Sequence, residues 1–385
     1  MWIANLAIAL IILGCVAYQY LKSHLVKSFA TVIITICASS VAFGYFELLA
    51  NVIIAQTNGT LSVIVPWAQP LSVLLLFVLA FALLQTIAAQ ITRRSVDLGR
   101  VPDSIGRIVC GIFLGLLLSG LLLTALAMAP LPNKYPYPRF SSTRPDADKP
   151  NKPLFNADGF AAGWFSIISR GSLSGQRSFA VLHPAFIDQT FLNRHKATAD
   201  MSIVAGSDPI ELPQKKKRDD KIAAAWPAPQ GLKDAEGRPI PPKSGHNLMI
   251  VRVGMKKTAL KEAGQFTLSQ LRLICKQKAY AKNPLVGKAR NVYPIGYVSA
   301  AKQLQIKRLD EVITVTRSDF EGSAAVRWID FAFYVPSDFL PVLVEFKQNC
   351  VVQVPAIATI DEAPPLLPFT GSSDPKKTGN TPSRR

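Results

Sequence analysis

The fold is decided by an uncharged run at residues 108–129, with the sequence IVCGIFLGLLLSGLLLTALAMA. A helix of about 20 apolar residues is long enough to cross the ~30 Å hydrocarbon layer of a bilayer. Three similar runs precede it, at residues 3–20, 29–49 and 71–91. Because a chain in lipid must satisfy its own backbone hydrogen bonds, these runs predict helices and not strands. Together they predict a membrane all-α four-helix bundle over residues 1–130.

The charge of the chain lies almost entirely outside this apolar block. The 385 residues include 43 Lys+Arg and 25 Asp+Glu, a formal net charge of +18, and 49% of them are hydrophobic. Residues 1–130 hold 6 of the basic and 3 of the acidic residues, so a net charge of +15 follows Pro130. A single water-soluble core is therefore excluded, and 5 cysteines are too few for a disulfide-rich secreted module.

The longest basic run does not indicate nucleic-acid binding. It occupies residues 215–218 and is followed directly by Asp219 and Asp220. Such a mixed stretch is typical of a solvated loop, so we expect no nucleic-acid partner. Attraction to anionic lipid headgroups explains the excess positive charge better, so the lipid bilayer is the expected partner.

The basic residues of the short loops predict how the bundle is oriented. The loop between the first and second runs contains Lys22 and Lys27. The loop that leads into the fourth run contains Arg93, Arg94, Arg100 and Arg107. The intervening loop, residues 51–70, has no Lys or Arg and contains an apolar stretch that suits an interfacial anchor or a re-entrant segment. Positively charged loops remain on the cytoplasmic side. We therefore expect both termini on the extracytoplasmic side.

Small residues recur at four-residue spacing along the fourth run, at Gly111, Gly115 and Ser119. This spacing places them on one helix face, where they allow two helix backbones to approach closely in lipid. Two interpretations stay open. The face packs against another helix of the same bundle, or it supports a homo-oligomer.

The apolar block resembles the colicin V production protein family. The resemblance rests on the four runs, on the basic loop before the fourth, and on Arg107 followed at four-residue steps by Gly111, Gly115 and Ser119. It covers about the first third of the chain. What it implies is a multi-pass protein of the bacterial inner membrane, with a role in envelope maintenance or in secretion and toxin production, and with an envelope protein as a partner.

The rest of the chain divides by composition and by periodicity. We expect a Pro-rich linker at 131–155, short amphipathic or helical segments at 156–200, a disordered loop at 201–245 and a disordered tail at 357–385. Between the last two, residues 246–356 contain seven short segments in which apolar residues alternate with polar ones. This pattern predicts a mainly β, sandwich-like soluble domain.

The first helix after the linker is predicted to be amphipathic. Phe160, Trp164, Ile167 and Ile168 fall on one face of a helix over residues 156–170. Two uses of that face stay open. It lies on the outer membrane surface with its aromatic rings among the headgroups, or it packs on the following domain.

No motif of an enzyme or of a metal site is found. The 4 His form no H-E-x-x-H, and neither C-x-x-C nor G-x-x-x-x-G-K-[ST] occurs, so we expect no cofactor, no metal and no enzymatic activity. His183 is close in sequence to Asp188 and His195, and a structural hydrogen bond to one of them is the preferred interpretation. An unrecognised extracytoplasmic hydrolase and a transport or channel component are the alternative functions.

Cys275 and Cys350 are the two cysteines outside the apolar block. Both fall in predicted strands, and in an oxidising compartment they could form a disulfide that bridges two sheets. The other interpretation is a pair of separately buried thiols.

Overall fold

The structure is a computed structural model, which describes residues 1–57, 63–91, 99–141, 143–170, 178–195, 201–206, 208–214, 223–260, 264–280, 287–355 and 357–370. It divides into two compact units, Met1–His195 with Ala279–Arg290 and Lys196–Lys278 with Asn291–Arg385. The first unit is helical and the second is built on β-sheets.

Four helices of the first unit are long and apolar enough to cross a membrane, as the sequence predicts. The helices of this unit are α1 (Trp2–Lys22), α2 (Leu25–Gln56), α3 (Ala68–Ile91), α4 (Arg100–Met128), α5 (Ala157–Arg170), α6 (Phe179–Leu182) and α7 (Phe186–Asn193). Residues 51–56 continue α2, so the expectation of a separate interfacial or re-entrant segment is wrong for them. Arg93 and Arg94, used to predict the orientation, lie outside the described residues.

An ionic corner joins α1, α2 and α4 at one end of these helices. The Asp103 carboxylate accepts a hydrogen bond from the Leu25 N–H at 2.8 Å and so caps the first turn of α2. The Arg107 guanidinium pairs with Asp103 at 2.8 Å and donates to the Tyr20 and Ser23 carbonyls at 2.7 and 3.1 Å. Carbonyls at the end of α1 that have no partner within the helix are satisfied in this way.

The long helices alternate in direction, so two different ends of the bundle can be distinguished. Gly111 of α4 faces Val16 of α1, whereas Gly115 faces Ile12, and α1 and α4 therefore run antiparallel. Only Ser23 and His24 separate α1 from α2. The ionic corner consequently marks one end, and the carboxyl ends of α2 and α4 lie at the other.

Residues 131–153 are not the extended linker expected from their composition. Where the structure describes them they have no helix or strand, yet Tyr137, Arg139 and Phe140 are buried. The expectation is wrong because this Pro-rich segment carries aromatic and charged side chains that find partners on α5 and α7.

The second unit is a mixed-sheet domain, which confirms the prediction of a mainly β region. Its strands are β1 (Ile210–Glu211), β2 (Ala225–Pro227), β3 (Lys233–Asp234), β4 (His246–Lys256), β5 (Gln265–Thr267), β6 (Leu271–Gln277), β7 (Ala289–Val292), β8 (Pro294–Ala300), β9 (Gln303–Ile306), β10 (Val312–Thr314), β11 (Val326–Pro336), β12 (Phe339–Phe346) and β13 (Cys350–Gln353). The largest sheet has the order β1-β4-β11-β8-β9-β3, with β2 also on β4; a four-stranded sheet has the order β13-β12-β6-β7, and β10 pairs with β5. Strands β3 and β9 are parallel, whereas the pairs β1–β4, β2–β4, β4–β11, β8–β11, β8–β9, β5–β10, β6–β12 and β12–β13 are antiparallel.

The long pair β4 and β11 forms the centre of the large sheet. The two strands are in register from Val326 opposite Lys256 to Pro336 opposite His246. Alternate residues of β11 enter a core that also contains apolar residues of β6 and β12. The opposite face is buried as well, because Trp226 and Leu232 pack with Ala332 there. Burial of both faces was not expected from a pattern of alternating polar and apolar residues.

Two segments expected to be disordered are ordered where the structure describes them. Residues 223–245 contain β2 and β3 and bury Trp226 completely. Residues 357–370 bury Phe369, whose N–H donates to the Val298 carbonyl at 2.9 Å. A few large side chains in polar, Pro-rich surroundings are enough to anchor such segments, since one buried aromatic side chain contributes several kcal/mol. Residues 215–222 and 371–385 lie outside the described residues.

Candidate functional site

Residues 131–141, 143–170 and 178–195 form a cap on the carboxyl ends of α2 and α4, and this cap holds most of the buried charge among the described residues of the helical unit. The segment just before α5 is tied to α1, because the Asn5 Oδ1 accepts the Leu154 N–H at 2.9 Å. Its helix α5 lies directly on α4, where an ideal Cβ built at Gly120 would be 2.7 Å from the Ala161 Cβ. Ionisable groups buried at the end of apolar helices are the first place to look for function.

Arg139 is the centre of one buried cluster in the cap. Its Nε donates to Asp188 on α7 at 2.6 Å, and its Nη1 lies 3.2 Å from the Asp158 carboxylate on α5. The Tyr137 hydroxyl donates to the same Asp158 carboxylate and accepts a hydrogen bond from Arg139 at 2.6 Å. Burial lowers the pKa of Arg139, but the neighbouring Asp188, Tyr137 and Asp158 outweigh it and hold the pKa above its usual value. Burial and the charge of Asp158 raise the pKa of Tyr137, so its phenol remains a donor.

Arg194 closes the end of α4. Its Nη1 lies 3.2 Å from both the Leu126 and the Ala129 carbonyl oxygens, and its Nη2 donates to the Tyr135 carbonyl at 2.7 Å. A guanidinium at the carboxyl end of a helix satisfies carbonyls that have no partner within the helix and interacts favourably with the helix dipole. The guanidinium also stacks over the Phe191 ring at 4.8 Å. Burial lowers the pKa of Arg194 to about 10, which still leaves it charged at neutral pH.

His183 links the cap to α2. Its Nε2 is 2.8 Å from the Glu47 carboxylate, and its Nδ1 is hydrogen-bonded to the Gln189 side chain. The imidazole is buried among aromatic rings and lies 5.0 and 5.2 Å, between centroids, from Phe179 and Phe186. The partners that the structure shows for His183 are therefore Glu47 and Gln189, whereas Asp188, one of the two partners considered from the sequence, binds Arg139.

Helix α7 organises both clusters. Its consecutive residues Asp188 and Gln189 reach Arg139 and His183, and Arg194 follows immediately after the helix. In this way one short helix connects the Pro-rich segment, α2 and the end of α4. The arrangement fixes the ends of the apolar helices relative to one another.

This geometry gives no support to hydrolysis. Both ring nitrogens of His183 are occupied, so the imidazole has no nitrogen available to activate a nucleophile or a water. The imidazole is also buried. Among the described residues there is no group of three or more His, Cys, Asp or Glu that could hold a metal ion.

The residues predicted from the small-residue spacing lie on the contact between α1 and α4. An ideal Cβ at Gly111 would be 2.6 Å from the Val16 Cα, and one at Gly115 would be 2.6 Å from the Ile12 Cα. Ser119 is buried on the same helix and donates to the Leu116 carbonyl at 3.2 Å. Within one chain this face is therefore occupied by α1, and a homo-oligomer through the same glycines would require α1 to be displaced.

Of the two interpretations left open for Cys275 and Cys350, the structure shows the separately buried thiols: both cysteines are free and buried. They belong to the same four-stranded sheet, on β6 and β13, with β12 between them. Cys275 is in register with Pro341 and Cys350 with Phe346, so they are offset along the sheet as well. Strands two places apart are separated by about 9–10 Å, beyond the ~7 Å Cα–Cα limit for a disulfide.

Tyr137, Arg139 and Arg194 are absent from the candidate residues derived from the sequence. They lie in a segment assigned as linker and at the end of a short helix, where no local periodicity marks them. A combination of Tyr and Arg within a Pro-rich stretch is the one available signal, since neither is needed in a flexible tether.

No protein-family model matches the chain, and no curated protein or solved structure matches it either. The resemblance to the colicin V production family is therefore still a prediction, based on Arg107, Gly111, Gly115 and Ser119.

Proposed function

We propose that the chain is a multi-pass protein of the bacterial inner membrane that anchors an extracytoplasmic assembly platform and has no catalytic activity. The four apolar helices form a bundle in the bilayer, the cap covers its outer end, and the sandwich-like β unit stands outside the cytoplasm. Its role is in envelope maintenance or secretion, with an envelope protein as partner, as the resemblance to the colicin V production family implies.

The observation that carries this proposal is that the basic residues of the four apolar helices lie at the end of the bundle away from the cap. Lys22, Lys27, Arg100 and Arg107 belong to the end of the bundle marked by the ionic corner, whereas Asn5 and Glu47 contact the cap at the other end. Basic residues next to membrane helices favour the cytoplasmic side. The cap, and the chain that continues from it, then belong to the extracytoplasmic side.

The charged clusters of the cap support an anchoring role. Arg139 and Arg194 bind carboxylates and helix-end carbonyls of the same chain, and His183 binds Glu47. Side chains that bind carboxylates and carbonyls of the same chain hold helices in position and are not directed toward a substrate. The close contact of Gly115 with Ile12 also leaves no room for a solute between α1 and α4, so this geometry does not favour the transport alternative.

The orientation can be tested by the accessibility of single added cysteines. His24 is exposed in the short turn between α1 and α2, and the Lys149 side chain is 83% exposed in the cap. In spheroplasts treated with a membrane-impermeant maleimide, we expect Lys149→Cys to be labelled at once and His24→Cys only after lysis. The wild type gives the background from its own five cysteines. Labelling of His24→Cys alone in intact spheroplasts would reverse the topology and refute the proposal.

A further inference from the structure

Helix α5 has an apolar face that the helical unit leaves exposed. The Trp164 and Ile167 side chains of this face are 36% and 64% exposed, and Phe160 is half-buried beside them. We propose that α5 is an in-plane membrane helix, and that lipid acyl chains of the leaflet on the cap side cover this face. The inference rests on the membrane embedding of the bundle proposed above, but it does not depend on which side of the membrane the cap occupies.

The start of α5 can be placed at a definite height along α4. Asp103 of the ionic corner provides the reference level, and Gly120 lies 17 residues further along the same helix. At 1.5 Å per residue this is a height of about 26 Å. The Gly120 position is in contact with Ala157 and Ala161 of α5. The first turns of α5 therefore lie about 26 Å above the corner.

A second helix gives the height of the middle of α5 independently. Leu25 is at the reference level because its N–H is hydrogen-bonded to Asp103. Phe43 lies 18 residues further along α2, at a height of about 27 Å. Its ring stacks on Phe165 of α5, with the centroids 5.4 Å apart. Since both positions have nearly the same height, α5 lies across the long helices and not along them.

This height is close to the edge of a ~30 Å hydrocarbon layer that begins at the ionic corner. The aromatic rings of α5 point from there toward the middle of the layer. Phe160 and Trp164 contact the Phe113 ring at 5.3 and 5.5 Å between centroids. Phe113 lies 10 residues from Asp103 on α4, at a height of about 15 Å.

Two polar residues of α5, Asp158 and Ser169, are bound by other parts of the cap. Asp158 is bound by Tyr137 and Arg139, and the Ser169 hydroxyl accepts the Ala180 N–H at 3.1 Å. A helix with one face held by polar contacts and the other rich in Trp and Ile is typical of the lipid–water interface. Helix α4, which carries Phe113, also exposes Ile108, Val109 and Ile112. Lipid that covers α4 there would cover α5 as well.

Quenching of tryptophan fluorescence by brominated lipid tests this placement in the full-length protein. The chain has 5 Trp, of which Trp2 at the start of α1 and Trp67 directly before α3 are exposed and Trp328 is half-buried in β11. The Trp164→Phe variant keeps an aromatic ring against Phe113, and Trp328→Phe is the matched control. Each protein is reconstituted in dioleoylphosphatidylcholine and in the same lipid brominated on its acyl chains. If lipid covers α5, three Trp contact lipid in the wild type, namely Trp2, Trp67 and Trp164. We therefore expect Trp164→Phe to lose about one third of the emission that brominated lipid quenches.

The control and the failure outcomes are distinct. Trp328→Phe should raise the quenchable fraction, since it removes emission that lipid does not reach. An unchanged quenchable emission in Trp164→Phe would mean that protein, either the β unit or a second copy, covers the face, and would overturn the inference. Extraction of the wild type from its vesicles by alkaline carbonate would instead refute the membrane embedding itself, which separates failure of the proposed function from failure of the in-plane helix.

Discussion

The contact between α1 and α4 gives the sharpest prediction, for the substitution Gly115→Ala. The added Cβ would lie 2.6 Å from the Ile12 Cα and 3.0 Å from its Cγ1. Carbon atoms prefer separations of about 3.5–4.0 Å, so the two backbones must move apart by about 1 Å. Because the nearest atom is backbone, a side-chain rotation cannot relieve the clash.

The expected magnitude follows from two opposing terms. Overpacking of a close contact costs about 1–3 kcal/mol. Replacement of Gly by Ala within a helix gains up to about 1 kcal/mol. With the full gain from helix propensity, we expect a net loss of up to about 2 kcal/mol in the free energy of unfolding. Gly14→Ala on α1 is the matched control, since nothing lies within 4 Å of its added Cβ, and it should be neutral or stabilising.

Reversible unfolding in mixed micelles of dodecyl sulfate and maltoside, followed by far-UV circular dichroism, measures both variants. Gly111→Ala should behave like Gly115→Ala, since its added Cβ would be 2.6 Å from the Val16 Cα. If Gly115→Ala and Gly14→Ala unfolded with the same free energy, the close approach of α1 and α4 would be refuted. The small-residue face would then have to be explained by a contact outside this chain.

Three further predictions concern the cap and the β unit. Arg139→Met removes the cation from two carboxylates and should cost about 3–5 kcal/mol in unfolding experiments, whereas Lys149→Met, on an exposed pair with Asp146, should leave the midpoint unchanged; equal midpoints would contradict the buried cluster. Phe369→Ala should lower the free energy of unfolding of the β unit by about 3–5 kcal/mol, whereas the exposed Ile360→Ala should change it little, as measured by thermal unfolding. If Phe369→Ala had no effect on stability, residues 357–370 would not be packed on the β unit. Burial raises the pKa of Cys350 to about 11, so at pH 8 only about one thiol in a thousand is ionised; alkylation should be slow and accelerate about tenfold per pH unit, and fast alkylation at pH 8 would contradict its burial. Because the folded state holds this proton more tightly than the unfolded state does, stability should fall as the pH rises above 9 toward 11.

The sequence predicted the α5 helix but assigned its two faces incompletely. Phe160, Trp164 and Ile167 share a face, as predicted, yet this face is the more exposed one. The buried side consists of small residues and Phe165, which fit against Gly120 and Phe43. The amphipathic pattern identifies the face that carries large apolar residues. A close contact between helices instead requires small residues, so the face that packs on α4 is a different one.

The charged partners in the cap could not be predicted because they are distant in sequence. Arg139 is 49 residues from Asp188, and His183 is 136 residues from Glu47. Their pairing depends on how α5 and α7 pack on the ends of α2 and α4, and no local pattern contains that information. The two β-strand cysteines show the same limit, since alternation identifies a strand but not its neighbours.

The amino-acid sequence alone determined the four apolar helices, the charge asymmetry around them and the β character of the later region. Each of these depends on solvent preference or on a short periodicity, which neighbouring residues establish together. Only the tertiary structure decided that the Pro-rich segment is part of a packed cap, that Gly111 and Gly115 meet α1, and that Cys275 and Cys350 stay apart. These outcomes depend on which surfaces meet after the chain has folded, and the free energy of such contacts is set by the fit between distant residues and not by the character of either one.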